Sequence, residues 1–192
     1  MTMRMASPLW IAALLAAILG ALLTAAVFGF FYAYASSVMF GFDTLSEQNA
    51  VIAMQGVNAT VRNRYFAPAF FGPAPMLLLA AGLAYLADAR QAGFAFAAAA
   101  VVYMFAAFLP TMLVNVPMND ALARVSARGS DVAQVWAEYS PRWQWWNLAR
   151  TVASGFSVLL ALFGLVSLGA SARTTSRVPA SMGRLEAARV AS

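Results

Sequence analysis

The chain of 192 residues contains no cysteine and no histidine. Disulfide bonds are therefore excluded, and the usual ligands of zinc, copper, haem iron and iron–sulfur clusters are missing. The commonest general base is missing as well. All twelve basic residues are arginine, which excludes a Schiff base with lysine. Catalysis would have to use carboxylates, tyrosine, asparagine, arginine, tryptophan and backbone groups, or a cofactor held without the missing ligands.

Charge is also scarce. Only 10% of the residues are charged, 62% are hydrophobic, and the mean hydropathy is +0.73. Soluble domains average about 25% charged and about 45–50% apolar residues, so this composition indicates an integral membrane protein. The net charge of +5 fits anchoring at a membrane surface. No separate polar domain is available for nucleic acid, and we expect no nucleic-acid partner.

Long apolar stretches define the predicted architecture. A membrane-spanning helix needs about 20 mostly apolar residues, and the sequence offers four such stretches, at about 9–34, 67–87, 94–114 and 152–170. We predict an all-α fold, an integral membrane four-helix bundle formed by one domain of residues 1–170. Residues 171–192 are rich in arginine, serine and alanine, which predicts a basic mobile tail.

The two long loops, between the first and second and between the third and fourth stretches, carry further helical signals. Residues 49–65 place apolar side chains at three- and four-residue spacing, which predicts an amphipathic interfacial helix. Residues 119–147 predict two short helices, the second ending before Pro141, which would start a new turn that leads into the last span. Four spans put both loops on one side of the membrane and both termini on the other. Arginines divide equally between the two sides; because those near the termini look free, we predict cytoplasmic termini in a bacterial plasma membrane.

The segment PRWQWWNLAR, Pro141–Arg150, precedes the last apolar stretch. In a helix Trp143, Asn147 and Arg150 share one face. Aromatic and arginine side chains at this position are typical of an interfacial anchor. An anchor does not require an amide and a guanidinium on the tryptophan face, so a binding site for a planar anion or an enolate oxygen is the competing interpretation.

Two further segments carry amides. In NVPMN, Asn115 and Asn119 flank Pro117, which predicts the end of the third span or a polar cavity at membrane depth. In the loop helix of residues 49–65, Asn58 and Arg62 lie on the polar side, which is either a solvated face or part of a site. Tyr34 either faces the same space or packs between helices.

These segments, in this order, resemble the anthrone oxygenase-like membrane proteins, a family whose bacterial members mostly carry a label of unknown function. The resemblance runs from about Gly29 to Leu168. It rests on these segments: GFFYAYASSVMFGFD, AMQGVNATVRN, FFGP, NVPMN, and the spaced tryptophan, tyrosine, asparagine and arginine residues of 136–150.

The resemblance implies oxygenation of a lipophilic, anthrone-like aromatic by molecular oxygen, with no metal and no other cofactor. Such chemistry needs a flat apolar slot, donors for an enolate oxygen and a base. The predicted catalytic residues are Arg62, Asp120, Asn147 and Arg150. The predicted substrate-binding residues are Asn58, Asn115, Asn119, Trp136, Tyr139 and Trp143. Asp120 or a tyrosinate beside an arginine are the candidates for the base.

The sequence is also compatible with other functions. The main alternative is a non-enzymatic membrane protein that binds a lipid, quinone or polyketide, or an accessory subunit. A transporter is less favoured because the charged residues gather at one end of the spans and not at mid-membrane. Membrane lipids, a lipophilic aromatic molecule and molecular oxygen are the expected partners, and an oligomer is compatible with the sequence.

Overall fold

The computed structural model describes residues 7–175, and no strand occurs among them. The all-helical fold is therefore confirmed for this part of the chain. Residues 176–192, which hold most of the predicted basic tail, lie outside the described residues.

Eight α-helices and three π-helical turns make up the described chain. They are α1 Pro8–Ala33, π1 Tyr34–Val38, α2 Met39–Asp43, α3 Glu47–Thr60, α4 Phe66–Phe71, α5 Pro73–Leu86, α6 Arg90–Tyr103, π2 Met104–Phe108, π3 Thr111–Asn115, α7 Val116–Leu122 and α8 Val132–Thr175.

Three continuous helical segments are long and apolar enough to cross a membrane: Pro8–Asp43, Arg90–Leu122 and Val132–Ala172. The first begins with a capped turn, because the Ser7 hydroxyl accepts a hydrogen bond from the Trp10 backbone N–H at 3.2 Å. Large apolar side chains on the outer surfaces of these segments, including Leu15, Leu159 and Val166, are exposed. Long helices with apolar outer faces are typical of membrane proteins.

The second predicted span is divided. Gly72 separates α4 from α5, and α5 has 14 residues, or about 21 Å of helix, against about 30 Å of bilayer hydrocarbon. A side chain at Gly72 would lie 2.5 Å from the Pro68 carbonyl oxygen and 2.6 Å from Leu23 Cδ1. Glycine is required there because the chain passes so close to both groups.

Two predicted helix ends are wrong. The helix does not end at Pro117, because Pro117 lies in the first turn of α7, directly after π3, where the missing N–H is tolerated. The predicted break at Pro141 is also absent, since α8 passes through it. Ser140 and Gln144, on either side of Pro141, both donate hydrogen bonds to Asp43, and these contacts hold the helix in register.

The long helices pack pairwise. Helix α1 packs along α5 and α8, and α6 also packs along α5 and α8. Their shared core is rich in alanine, with Leu77, Phe96 and Leu168 among the few large side chains. Small residues let the helices approach closely. Towards the π turns the buried residues become aromatic, including Phe31, Phe70, Tyr103 and Trp143, and it is there that the helices enclose space.

Candidate functional site

A cavity of about 530 Å³ lies among α1, α3, α4, π3 and α8. This volume falls within the about 300–1,000 Å³ range of small-molecule sites. Most of its wall is apolar and aromatic. The lining residues are Phe30, Phe31, Tyr34, Val57, Asn58, Val61, Arg62, Asn63, Arg64, Phe66, Ala67, Phe70, Phe71, Thr111, Met112, Val116, Asn119, Trp143 and Arg150.

Two of the π turns border this cavity. Tyr34 belongs to π1, and Thr111 and Met112 belong to π3. Single π turns within α-helices occur frequently at functional sites because they re-aim side chains and disturb the regular backbone bonding. Next to π1, the Phe31 carbonyl oxygen accepts a hydrogen bond from Asn147 Nδ2 at 2.9 Å. The last turn of α1 thus provides an attachment point for α8.

Arg150 is the buried cation of the cavity wall. Arg150 is only 3% exposed. Its Nη1 atom donates to Thr111 Oγ1 and its Nη2 atom donates to Asn147 Oδ1, both at 3.1 Å. The guanidinium carbon lies 4.4 Å from the Phe31 ring centroid and 5.4 Å from the Trp143 ring centroid. Its Nε atom is buried without a hydrogen-bond partner. Among the described residues the only ion pair is elsewhere, so Arg150 has no carboxylate partner there.

Asn147 connects Arg150 to α1. It is fully buried; its amide nitrogen donates to Phe31, and its amide oxygen accepts from Arg150. Both hydrogen-bonding ends of the amide are therefore used, and the guanidinium is held in one orientation. The helical register of Trp143, Asn147 and Arg150 does place the three residues together, as their spacing indicates.

Asn119 sets the orientation of the tryptophan wall. Its side-chain oxygen accepts hydrogen bonds from the Tyr139 hydroxyl at 2.8 Å and from Trp143 Nε1 at 2.9 Å. The Trp143 ring is 5.4 Å from the Tyr34 ring, centroid to centroid. Tyr139 does not line the cavity; it reaches the site through Asn119.

The mouth of the cavity carries Arg62, Asn63 and Arg64, which are all exposed. Arg62 Nη2 lies 2.8 Å from Asp120 Oδ1, and the two side chains are 60% and 50% exposed. Asp120 is therefore a surface partner of Arg62, and it does not line the cavity.

Trp136 lies at a different place from the one the predicted site requires. It lines a separate open groove of about 520 Å³, with Asp43, Ser140, Gln144 and Trp145 among its other lining residues. Trp136 Nε1 donates to Asp43 Oδ1 at 3.0 Å. The structure therefore does not bring Trp136 together with Trp143 around one cavity.

Two predicted amides have unused hydrogen-bonding capacity. Asn115 is 1% exposed, neither its amide nitrogen nor its amide oxygen has a partner, and it does not line the cavity. Asn58 lines the cavity, and its buried Nδ2 atom has no partner at hydrogen-bond distance and angle, although the Tyr139 hydroxyl is near. Buried polar groups are usually paired, so an unpaired amide on a cavity wall is suited to bind a ligand.

The sequence did not indicate several wall residues. Thr111 carries a hydroxyl within an otherwise apolar stretch, and this isolated polar side chain is the one feature of the sequence that could have indicated it. The aromatic residues Phe30, Phe31, Phe66 and Phe70 could not be separated from ordinary core residues by their spacing. Within the part of the chain that the structure describes, no three or more carboxylate side chains come together in a way that could hold a metal ion.

Fold and cavity together define a helical protein with the properties of a membrane protein and a largely aromatic cavity that contains a buried arginine. A family model described as "Anthrone oxygenase" matches residues 63–160, about half of the chain. The chain belongs to the anthrone oxygenase family, and the resemblance seen in its motifs is confirmed. The matched region includes Thr111, Asn119, Trp143, Asn147 and Arg150. No curated protein and no solved structure matches the chain.

Proposed function

We propose that this protein is an integral membrane oxygenase that uses molecular oxygen to oxidise a lipophilic, anthrone-like aromatic substrate within the cavity. Family membership supports the reaction class. The observation that carries the proposal is the buried Arg150 guanidinium on a mostly apolar and aromatic wall, where Phe31 and Trp143 flank it. Such a group stabilises negative charge on an oxygen atom far better inside an apolar cavity than in water.

The proposed reaction converts a ring methylene and O₂ into a ring carbonyl and water. Removal of one methylene proton leaves a carbanion whose charge is shared with the substrate oxygen. The carbanion transfers electrons to O₂ and forms a carbon–oxygen bond, which gives a peroxide that takes up a proton. Loss of the second methylene proton breaks the O–O bond, and the departing hydroxide leaves as water. Oxygen is reduced, the carbon is oxidised, and neither a metal nor an organic cofactor enters the balance.

The roles follow from position. Arg150, held by Asn147 and Thr111, binds the substrate oxygen on which charge develops. Trp143 and Phe31 contact the flat faces of the ring system. Asn58 offers its free amide nitrogen as a further donor. Tyr34 is the lining residue other than arginine that can exchange a proton, and we assign it to proton transfer.

The remaining predicted residues take supporting roles in this proposal. Asn119 and Tyr139 orient Trp143. Arg62 and its partner Asp120 lie at the mouth and guide the substrate inward. Asn115 and Trp136 have no direct contact with the substrate.

We further propose a four-helix bundle in the membrane, with α1, α5, α6 and α8 crossing the bilayer. The short α5 would need α4 to complete its crossing. The helices α3 and α7 would then lie at one interface, above the cavity, and the termini would be cytoplasmic in a bacterial plasma membrane. The exposed apolar Phe71 and Met112 on the cavity wall support access of the substrate from the lipid.

The test uses the purified protein in lipid nanodiscs with an anthrone, under air and under argon. We expect quinone formation above the spontaneous rate only under air. Arg150→Ala should lower that rate by about 100-fold, the cost of removing one oxyanion donor. Ser157→Ala is the control, because Ser157 is buried in the same helix but bonds to the Ala99 carbonyl and does not line the cavity. Asp120→Asn should retain the rate within about threefold.

A parent rate equal to the spontaneous one would overturn the oxygenase proposal. Equal rates for the parent and Arg150→Ala would overturn the site instead.

A second candidate is a non-enzymatic protein that binds a lipid, quinone or polyketide, or an accessory subunit. The lack of any carboxylate among the lining residues favours it, because proton removal then rests on tyrosine. A ligand that co-purifies with the protein and no oxygen consumption with any anthrone would support this function.

A further inference from the structure

The charges around the cavity are all of one sign. Three arginines line it, Arg62, Arg64 and Arg150, and no aspartate or glutamate does. Arg62 is balanced by Asp120, whereas Arg64 donates only to the neutral Tyr65 hydroxyl. Arg150 is bound by an amide and a hydroxyl, both neutral. The wall of the cavity therefore contains a buried positive charge without a counter-ion among the described residues.

A buried charge without a partner is expensive, because its hydration is lost and nothing replaces it. The neutral partners of Arg150 use one N–H of each terminal nitrogen. The Nε–H remains unpaired, and each terminal nitrogen retains one more N–H. An anionic group placed in the cavity could use these donors and supply the missing charge, as arginine does for carboxylates and phenolates.

The shape of the surroundings limits what that anion can be. The guanidinium lies close to the Phe31 and Trp143 rings. The aromatic wall continues through Phe30, Phe66 and Phe70, where the ring centroids of Phe30 and Phe66 lie 4.8 Å apart and those of Phe66 and Phe70 lie 5.6 Å apart. Such a surface favours a flat aromatic body over flexible acyl chains, since stacked and tilted ring contacts contribute beyond the buried area.

We infer that the cavity binds planar aromatic anions, arene carboxylates or phenolates, whose acidic group contacts Arg150 before any reaction takes place and leaves further N–H groups of Arg150 for the oxygen on which charge develops. This inference rests on the proposed function only in placing the substrate in the cavity. It adds that the substrate is recognised as an acid, so that neutral quinones and neutral lipids are poor ligands. It holds whether or not the bound molecule is then oxidised.

The experiment compares two probes of the same shape, anthracene-9-carboxylate and the neutral anthracene-9-carboxamide. Their dissociation constants are measured by calorimetric titration at pH 7.5 under argon, with the protein in nanodiscs of uncharged phosphatidylcholine. We expect the carboxylate to bind at least about tenfold more tightly than the carboxamide. A hydroxyanthracene, compared at pH values on either side of its own ionisation, separates phenolate from carboxylate recognition.

Arg150→Gln should remove the preference for the carboxylate by weakening that ligand alone, and Arg150→Lys should keep part of it because the charge remains. The control is Arg142→Gln, an exposed arginine on the same helix that does not line the cavity. It should retain the full preference. Nanodiscs of anionic phosphatidylglycerol should lower the carboxylate affinity of the parent and of Arg150→Gln by the same factor, because surface repulsion acts on both. A loss confined to the parent would identify a lipid headgroup as the occupant and overturn the inference.

Equal affinities for the two probes in the unmodified protein, or no binding of either, overturn the inference even if the Arg150 variants fail to fold. Because the titration is carried out under argon, its result does not depend on turnover. A clear carboxylate preference, together with no quinone formation above the spontaneous rate in the separate anthrone assay under air, would refute the oxygenase proposal and leave the anion site standing.

Discussion

Replacing Asn147 by alanine removes two buried hydrogen bonds at once. The amide nitrogen donates to the Phe31 carbonyl oxygen at 2.9 Å, and the amide oxygen accepts from Arg150 at 3.1 Å. Because Asn147 is fully buried, water does not replace either bond readily. The substitution therefore tests whether this amide couples α8 to α1 and holds the arginine.

The expected cost follows from the partners. Hydrogen bonds between membrane helices contribute about 0.6 kcal/mol on average and at most about 1.7 kcal/mol. A bond to a charged group contributes about 1.5–3 kcal/mol. Adding the two ranges, we expect Asn147→Ala to lower the free energy of unfolding by about 2–5 kcal/mol.

The assay is equilibrium unfolding in mixed detergent micelles, monitored by helical circular dichroism, for the parent and two variants. Ser157→Ala is the matched control, since it removes one buried hydrogen bond at 2.8 Å from the same helix, away from the cavity. We expect it to cost about 0.6–1.7 kcal/mol. If Asn147→Ala costs no more than Ser157→Ala, the amide does not hold the arginine and the reasoning for the site fails.

Two further predictions concern the cavity wall and the helix core. Tyr34→Phe keeps the ring contact with Trp143, so the dissociation constant for the substrate should change by less than about threefold. The variant loses the hydroxyl assigned to proton transfer, so turnover should fall by about 100-fold. Unchanged turnover in steady-state kinetics would assign the proton transfer to another group. Gly164→Ala places a methyl group 2.4 Å from Cε1 of the fully buried Phe96 and should lower the free energy of unfolding by about 1–3 kcal/mol in the same assay. The control Gly169→Ala, whose added methyl group meets no atom within 4 Å, should be neutral or slightly stabilising. Equal effects of the two substitutions would contradict the close packing of α8 on α6.

The division between sequence and tertiary structure is clear at Trp143, Asn147 and Arg150. Their common face follows from helical periodicity alone, because three- and four-residue spacing brings side chains together in any α-helix. The membrane class likewise follows from composition, since soluble domains rarely combine so few charged residues with such long apolar stretches. The family resemblance likewise needed only the order of the motifs.

Contacts between segments that are distant in the sequence could be identified only from the fold. Asp120 has the right chemistry for a base, but the packing pairs it with Arg62 at the surface. Trp136 lies one helical turn before Tyr139, yet its indole nitrogen turns to Asp43, which is 93 residues away. Local spacing predicts which residues share a helix face, but not which other helix that face will meet.

The amino-acid sequence by itself determined the class of protein, its all-helical fold and the one helical face that carries the arginine. Only the tertiary structure decided that Thr111 and the Phe31 carbonyl hold this face in place, because both contacts depend on packing across helices and Thr111 lies in a π turn. Periodicity is a property of one segment, whereas a cavity and the partners of a buried charge depend on how several segments pack together.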